Sequence, residues 1–128
     1  MVDLNLLNSV NDDLEGLEIE AFLDQLEGER IIIKMKGILT PVNTGEFTGK
    51  IMDFFYGDWK EIPIILDLSD LLYISSGGIG ALTTIRMQAD HKKSPLYLLG
   101  MNEKVKRVFD LLGFTSFFQL INSIEDIR

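Results

Sequence analysis

Residues 67–80 read DLSDLLYISSGGIG, and the fold turns on how this stretch divides. A run of branched apolar residues, Ile62, Ile64, Ile65 and Leu66, leads into it. A segment with Ile79, Leu82, Ile85 and Ala89 at helical spacing leaves it. The stretch is therefore the end of a strand, a turn and the start of a helix. Ser75 and Ser76 fall in the turn, followed by Gly77 and Gly78. Backbone N–H groups at a helix start lack intrahelical partners and attract negative charge. A phosphate on either serine, or a hydrogen bond from a partner, is accommodated there at low cost. Local physics also offers Ser76 a plainer role, that of helix N-cap, worth about 1 kcal/mol.

Downstream, Lys92, Lys93, Ser94 and Pro95 end the helix, with cations where its dipole favours them. Residues 96–99 read as a strand. Asn102 then caps a helix with Val105, Val108, Phe109 and Leu112 on one face, and Gly113 fits the left-handed residue that ends it. Residues 117–120 read as a fifth strand, and Ser123 opens a last helical turn.

Upstream, the strand is expected over 62–68, with its ladder beginning after Pro63. Three consecutive apolar residues, Ile64 to Leu66, suit a strand covered on both faces. Before it, Phe47, Ile51, Phe54 and Phe55 recur at helical spacing and read as core. Asn43 with Glu46 fits a capping box for that helix, and Gly57-Asp58 stops it. Trp59 is either buried or part of a contact surface. Thr40-Pro41-Val42 is a loop, and Gly37 is expected to end the strand before it.

From Leu17 the pattern alternates. Leu17, Ile19, Ala21 and Leu23 face one way, and Glu18, Glu20, Phe22 and Asp24 the other. Ile31, Ile33 and Met35 alternate likewise with Ile32, Lys34 and Lys36. Folded as a hairpin through Glu27-Gly28-Glu29, Glu20 faces Lys34 and Glu18 faces Lys36. Residues 1–16 show no steady period and are expected as a leader or short helix, with one domain over 17–128. The element order is β-β-α-β-α-β-α-β, with a final helical turn. It predicts an α/β fold with a mixed, mostly parallel sheet, an N-terminal β-hairpin and about four helices.

Composition narrows the function. The 128 residues contain no cysteine and one histidine, so a thiolate or histidine metal site is not expected. No cofactor is expected either. The net charge is −8, and residues 1–30 hold nine acidic residues against one basic residue, Arg30. Nucleic-acid binding and attraction to an anionic membrane need clustered Lys and Arg, so both are disfavoured. The N-terminus lacks a signal-like pattern and no apolar run reaches the ~18 residues of a membrane span, so no membrane insertion and a cytoplasmic location are expected. A monomer or weak dimer is the expected state.

Catalysis finds no support. Gly77-Gly78-Ile79-Gly80 lacks the GxGxxG spacing, and no phosphate-loop lysine follows. A serine nucleophile needs a base, and His91 lies about fifteen helical residues, ~20 Å, beyond Ser76. Asp67 and Asp70 suit bonds to strand-end amides as well as a carboxylate pair.

Three stretches over 31–128 resemble the STAS domain of bacterial anti-sigma-factor antagonists and sulfate-transporter tails. Gly37-Ile38-Leu39-Thr40 is similar to the family's Gly-x-Leu-Asp turn, with Thr40 in place of Asp. Ile65-Leu66-Asp67-Leu68-Ser69 is similar to its "vvlDls" strand. Ile74-Ser75-Ser76-Gly77-Gly78-Ile79-Gly80-Ala81-Leu82 is similar to its Asp-Ser-Ser-Gly-Leu-Gly block, with Ile74 at the acidic position and Gly78 at the leucine. Leu98-Leu99-Gly100 and the helix ending at Leu112-Gly113 fit its tail.

The resemblance implies a STAS-like fold and a non-enzymatic antagonist in a partner-switching pathway. Such a protein binds an anti-sigma factor that is also a serine kinase, and a phosphatase resets it. It further implies Ser75 as the phosphorylated residue, with Ser76 as helix cap and second candidate. The expected partner-binding residues are Thr40, Asn43, Ile74, Ser75, Ser76, Gly77 and Gly78, with Ile74 offering an apolar contact if exposed. Two alternatives stand beside this: an adaptor never phosphorylated, in a signalling or transport complex, and a small-ligand or nucleotide sensor.

Overall fold

The computed structural model describes residues 2–8, 14–25 and 28–127. Alternating apolar and charged residues fold β1 (Leu17–Asp24) against β2 (Arg30–Leu39) as an antiparallel hairpin. Glu20 pairs with Lys34 and Glu18 with Lys36, as alternation on both strands requires. Gly28 lies in the connection with φ of 99°. Glu27 of that turn, and residues 1 and 9–13 of the leader, lie outside the described residues. A short helix, α1 (Asn5–Asn8), buries Leu7 completely. The Asn8 amide bonds both the N–H and the C=O of Ala21, at 2.8 and 3.0 Å. These bonds occupy backbone groups on the outer edge of β1 that would otherwise invite another strand.

After α2 (Thr44–Phe55), β3 (Ile64–Ile74) lies parallel to β2. Helix α3 (Ser76–His91) leads to β4 (Leu96–Leu99), and α4 (Glu103–Leu112) leads to β5 (Gln119–Ile121). The sheet order is β1-β2-β3-β4-β5, antiparallel only at the hairpin. Each parallel crossover steps one strand in the same direction. Right-handed connections therefore carry α2, α3 and α4 over one face. Phe47 and Ile51, Leu82 and Ile85, and Val105 and Phe109 pack there against Ile33, Leu66 and Leu98 in one cluster. Ile64, Ile65 and Leu66 are all fully buried, as their consecutive placement predicts. Trp59 is buried against Phe54 and Phe55, and its indole N–H bonds Phe54 O at 3.2 Å.

Three boundaries differ from expectation. Strand β3 runs on to Ile74 rather than ending at 68, and β2 passes through Gly37 to Leu39. The β2–β3 register shifts between Lys34 and Lys36 and again between Gly37 and Ile38. Such irregularities break the period-2 pattern while the pairing continues. Gly37 is the pivot: its φ is 113°, and a Cβ there would lie 2.2 Å from Gly16 O. The fifth strand begins at Gln119, after a 3-10 turn over Thr115–Phe117. Phe117 packs edge-on to Phe114 and Phe118 beneath the Arg86 guanidinium, so it joins a cluster rather than a ladder. Asn102 and Gly113 act as expected: Asn102 Oδ1 accepts from Val105 N–H, and Gly113 has φ of 77°. Among the described residues no helix is long and apolar enough to cross a membrane.

Candidate partner-binding site at two helix entrances

The entrances of α2 and α3 meet at the C-terminal ends of β2 and β3. Ile38 pairs with Tyr73 and Leu39 with Ile74. The Ser75 N–H donates to Leu39 O at 2.9 Å, joining the two turns.

Ser75, not Ser76, is the N-cap of α3. Its backbone is extended (φ −88°, ψ 170°), and its Oγ accepts from Gly78 N–H at 3.1 Å. Ile79 N–H to Ser75 O, at 3.0 Å, is the first bond of the helix. Ser75 is buried, whereas Ser76 and Gly77, in the first helical turn, are exposed. The cap thus lies one residue earlier than expected. Two adjacent hydroxyls carry the same local signal, and the phase of the helix chooses between them.

Ile74 is fully buried, so the expected apolar contact through it does not exist. It supports α3 from below. A Cβ on Gly78 would lie 2.7 Å from Ile74 Cγ1 and 3.1 Å from Leu39 Cγ. Gly78 is thus a close-packing position, buried like Ile74 and Ser75.

Asn43 is 1% exposed and cannot itself touch a partner. The expected capping box with Glu46 is absent, and the Asn43 side chain makes no cap bond to α2. Its Nδ2 donates instead to Glu15 O at 2.8 Å and Ile38 O at 2.9 Å, and its Oδ1 accepts from Thr40 N–H at 3.0 Å. Partly buried backbone groups without partners are costly, and three of them outweigh one solvent-facing cap. Thr40 is half-buried, with its Oγ1 accepting from Val42 N–H.

Of the seven expected residues, Ser76 and Gly77 are exposed and Thr40 is half-exposed; the other four build the platform beneath. The surface includes residues the sequence did not single out: Ile38, Val42, Leu72 and Tyr73, with Val42 71% and Leu72 63% exposed. A legible sign was Leu71-Leu72-Tyr73, since consecutive residues of a strand cannot all face one core. Asp67 is absorbed locally: its Oδ1 accepts from both the N–H and the Oγ of Ser69. Asp70 is 3.9 Å from Lys34 Nζ. His91 is exposed at the far end of the helix that follows Ser75. Among the described residues no group of three or more His, Asp or Glu side chains converges as a metal site requires.

The family model of the STAS domain matches residues 20–127, and the chain belongs to that family. Proteins named anti-sigma factor antagonists are among those it is similar to. A Bordetella bronchiseptica protein named "Putative anti-sigma factor antagonist BtrV" is 28% identical over 103 residues, covering 80% of this chain and 86% of that one. SpoIIAA, an anti-sigma factor antagonist, superposes in its unphosphorylated form with a TM-score of 0.64 at 20% identity, covering 84% and 93% of the two chains. The phosphorylated form of SpoIIAA, a Bacillus cell fate determinant, gives 0.58 at 18% identity over 84% and 96%. An anti-sigma factor antagonist of Mycobacterium paratuberculosis gives 0.67 at 16% identity over 85% and 90%. At these identities the solved structures establish the fold.

Proposed function

We propose that this chain is an anti-sigma factor antagonist that binds an anti-sigma factor with serine-kinase activity through the α2 and α3 entrances. In this reading Ser76, rather than Ser75, is the phosphorylated residue, and a phosphatase restores the free form. The chain acts as a binding module and kinase substrate, not as a catalyst. The observation that carries the reading is an exposed Ser76 in the first turn of α3, beside a buried cap.

The family block Asp-Ser-Ser-Gly-Leu-Gly can be laid on the chain in two registers. Matching serine to serine puts Ile74 at the acidic position and Gly78 at the leucine. A carboxylate at 74 would be fully buried, and no leucine fits at 78, where even a Cβ meets Ile74 at 2.7 Å. Matching Gly-Leu-Gly to Gly78-Ile79-Gly80 removes both conflicts. Ser75 then stands at the acidic position, where its Oγ accepts the Gly78 N–H as a carboxylate would. Ile79, at the leucine, is fully buried. Ser76 falls on the first serine and Gly77 on the second.

A phosphoserine adds about −1.5 to −2 charges. In the first turn of a 16-residue helix it meets amides with no intrahelical partner, so the fold tolerates it. The same charge placed in a partner interface lacks such compensation and weakens binding.

Phosphopeptide mass spectrometry on the protein from its host, growing and stressed, tests this. Phosphate on Ser76 that changes with condition supports it. Phosphate confined to Ser75 rejects the choice of residue. Both serines unmodified while the kinase is active rejects the switch in favour of an adaptor.

A further inference from the structure

We infer that Asn43 is a positioning residue that ties the turn carrying Ser75 and Ser76 to the segment preceding the hairpin. Its bonds run backwards along the chain, to Glu15 O, Ile38 O and the Thr40 N–H, rather than forwards into α2. Glu15 lies 28 residues away in sequence and outside the 20–127 span that matches the family. The clasp thus recruits backbone beyond the matched region.

The neighbouring contacts make the connection continuous. Gly16 O accepts from Ile38 N–H at 2.9 Å and fills the space a Cβ of Gly37 would need. Leu14 and Leu17, on either side, are buried. On the other side of the clasp, Leu39 O accepts the Ser75 N–H, and the Leu39 side chain lies under Gly78. A path therefore runs from Glu15 through Asn43 to the Ile38–Thr40 backbone that holds Leu39 between its two bonded residues, and from Leu39 O to the cap of α3. Releasing residues 14–16 loosens the serine turn without unfolding the sheet. Its consequence for kinase and partner rests on the function proposed above; the path itself does not.

Amide exchange followed residue by residue by NMR on the full chain tests the inference. Asn43→Ala is compared with Leu7→Ala, which removes a fully buried side chain of α1 and none of the clasp's hydrogen bonds. In each variant, exchange of the Ser75 and Gly78 amides is scaled to that of Leu98 in β4, which reports opening of the sheet. The expected result is a scaled rate at least tenfold faster in Asn43→Ala than in Leu7→Ala. Equal scaled rates, or acceleration confined to residues 38–44, overturn the inference. Should Asn43→Ala fail to fold, Asn43→Ser, which keeps one donor and one acceptor, is compared with Leu7→Ala in the same way. The tenfold difference then supports the inference, and its absence overturns it.

Discussion

Asn43 and Ser75 each stand immediately before a helix, where a side-chain oxygen ordinarily accepts from amides of the first turn. Ser75 does so, three residues ahead, at Gly78. Asn43 does not: it is turned into the loop behind it and serves Glu15, Ile38 and Thr40. At the α3 entrance the Ser75 side chain serves a local amide, while its N–H reaches Leu39 O and Gly78 packs on Ile74 and Leu39. At the α2 entrance the Asn43 side chain serves the loop just behind it and, through Glu15 O, backbone 28 residues away. Position before a helix thus does not fix a residue's work. The unpaired groups nearest its side chain do, and burial raises their claim.

Among the polar contacts, the largest stability loss is expected on the α2 side. Asn43→Ala leaves two carbonyls and one N–H without this partner in a partly buried place. At about 1–3 kcal/mol for each unsatisfied group, with water recovering part, the loss should be about 3 kcal/mol. Urea denaturation measures it. A loss below about 1 kcal/mol, the size of a simple cap deletion, would make the two entrances alike.

Next comes the packing beneath α3. Gly78→Ala places a Cβ 2.7 Å from Ile74 Cγ1, which forces a shift costing about 1–3 kcal/mol. Ile74→Ala alone is also destabilising, because it empties a fully buried site. The double variant should be less damaged than the sum of the two, with a coupling of at least about 0.5 kcal/mol. Strict additivity in a double-mutant cycle would mean that Gly78 is not confined by Ile74.

The contrast also explains what was readable. The Glu20–Lys34 and Glu18–Lys36 register was legible because both strands alternate strictly. The caps at Asn102 and Gly113 were legible because their partners lie within a few residues. Asn43 was not, since its decisive partner Glu15 is 28 residues distant and offers only a backbone carbonyl, which has no sequence signature. The extension of β2 past Gly37 was hidden for the same reason: Gly16 O, not a local turn, determines why glycine is needed. The order of Ser75 and Ser76 depends on the phase of α3, and the buried Ile74 that sets this phase is defined by the whole sheet.

A smaller effect separates the two ways of reading the serine turn. Ser75→Ala should cost about 1 kcal/mol, the worth of one N-cap. Ser75→Asp should cost much less, because a carboxylate at the N-cap accepts the same amide and is favoured by the helix dipole. Thermal denaturation of the two, side by side, distinguishes them. If Asp at 75 is as damaging as Ala, position 75 is not equivalent to the acidic position of the family block, and the assignment of Ser76 loses its main support.

The smallest effect on stability belongs to Ser76, the residue that carries the most in the proposed function. Its side chain is exposed and, among the described residues, has no hydrogen bond that holds the turn, so Ser76→Ala should change stability by less than about 0.5 kcal/mol. Ser76→Asp should be neutral or slightly stabilising, since its charge lies at the positive end of α3. A carboxylate reproduces only part of a phosphate's charge, so this variant marks the direction of the switch rather than its size. With the partner kinase identified, calorimetric titration should find binding unweakened by Ser76→Ala and weakened at least tenfold by Ser76→Asp. A Ser76→Asp protein that binds normally while a Ser75→Asp protein does not would return the switch to the buried cap. The exposed first turn of α3 would then be a bystander to it.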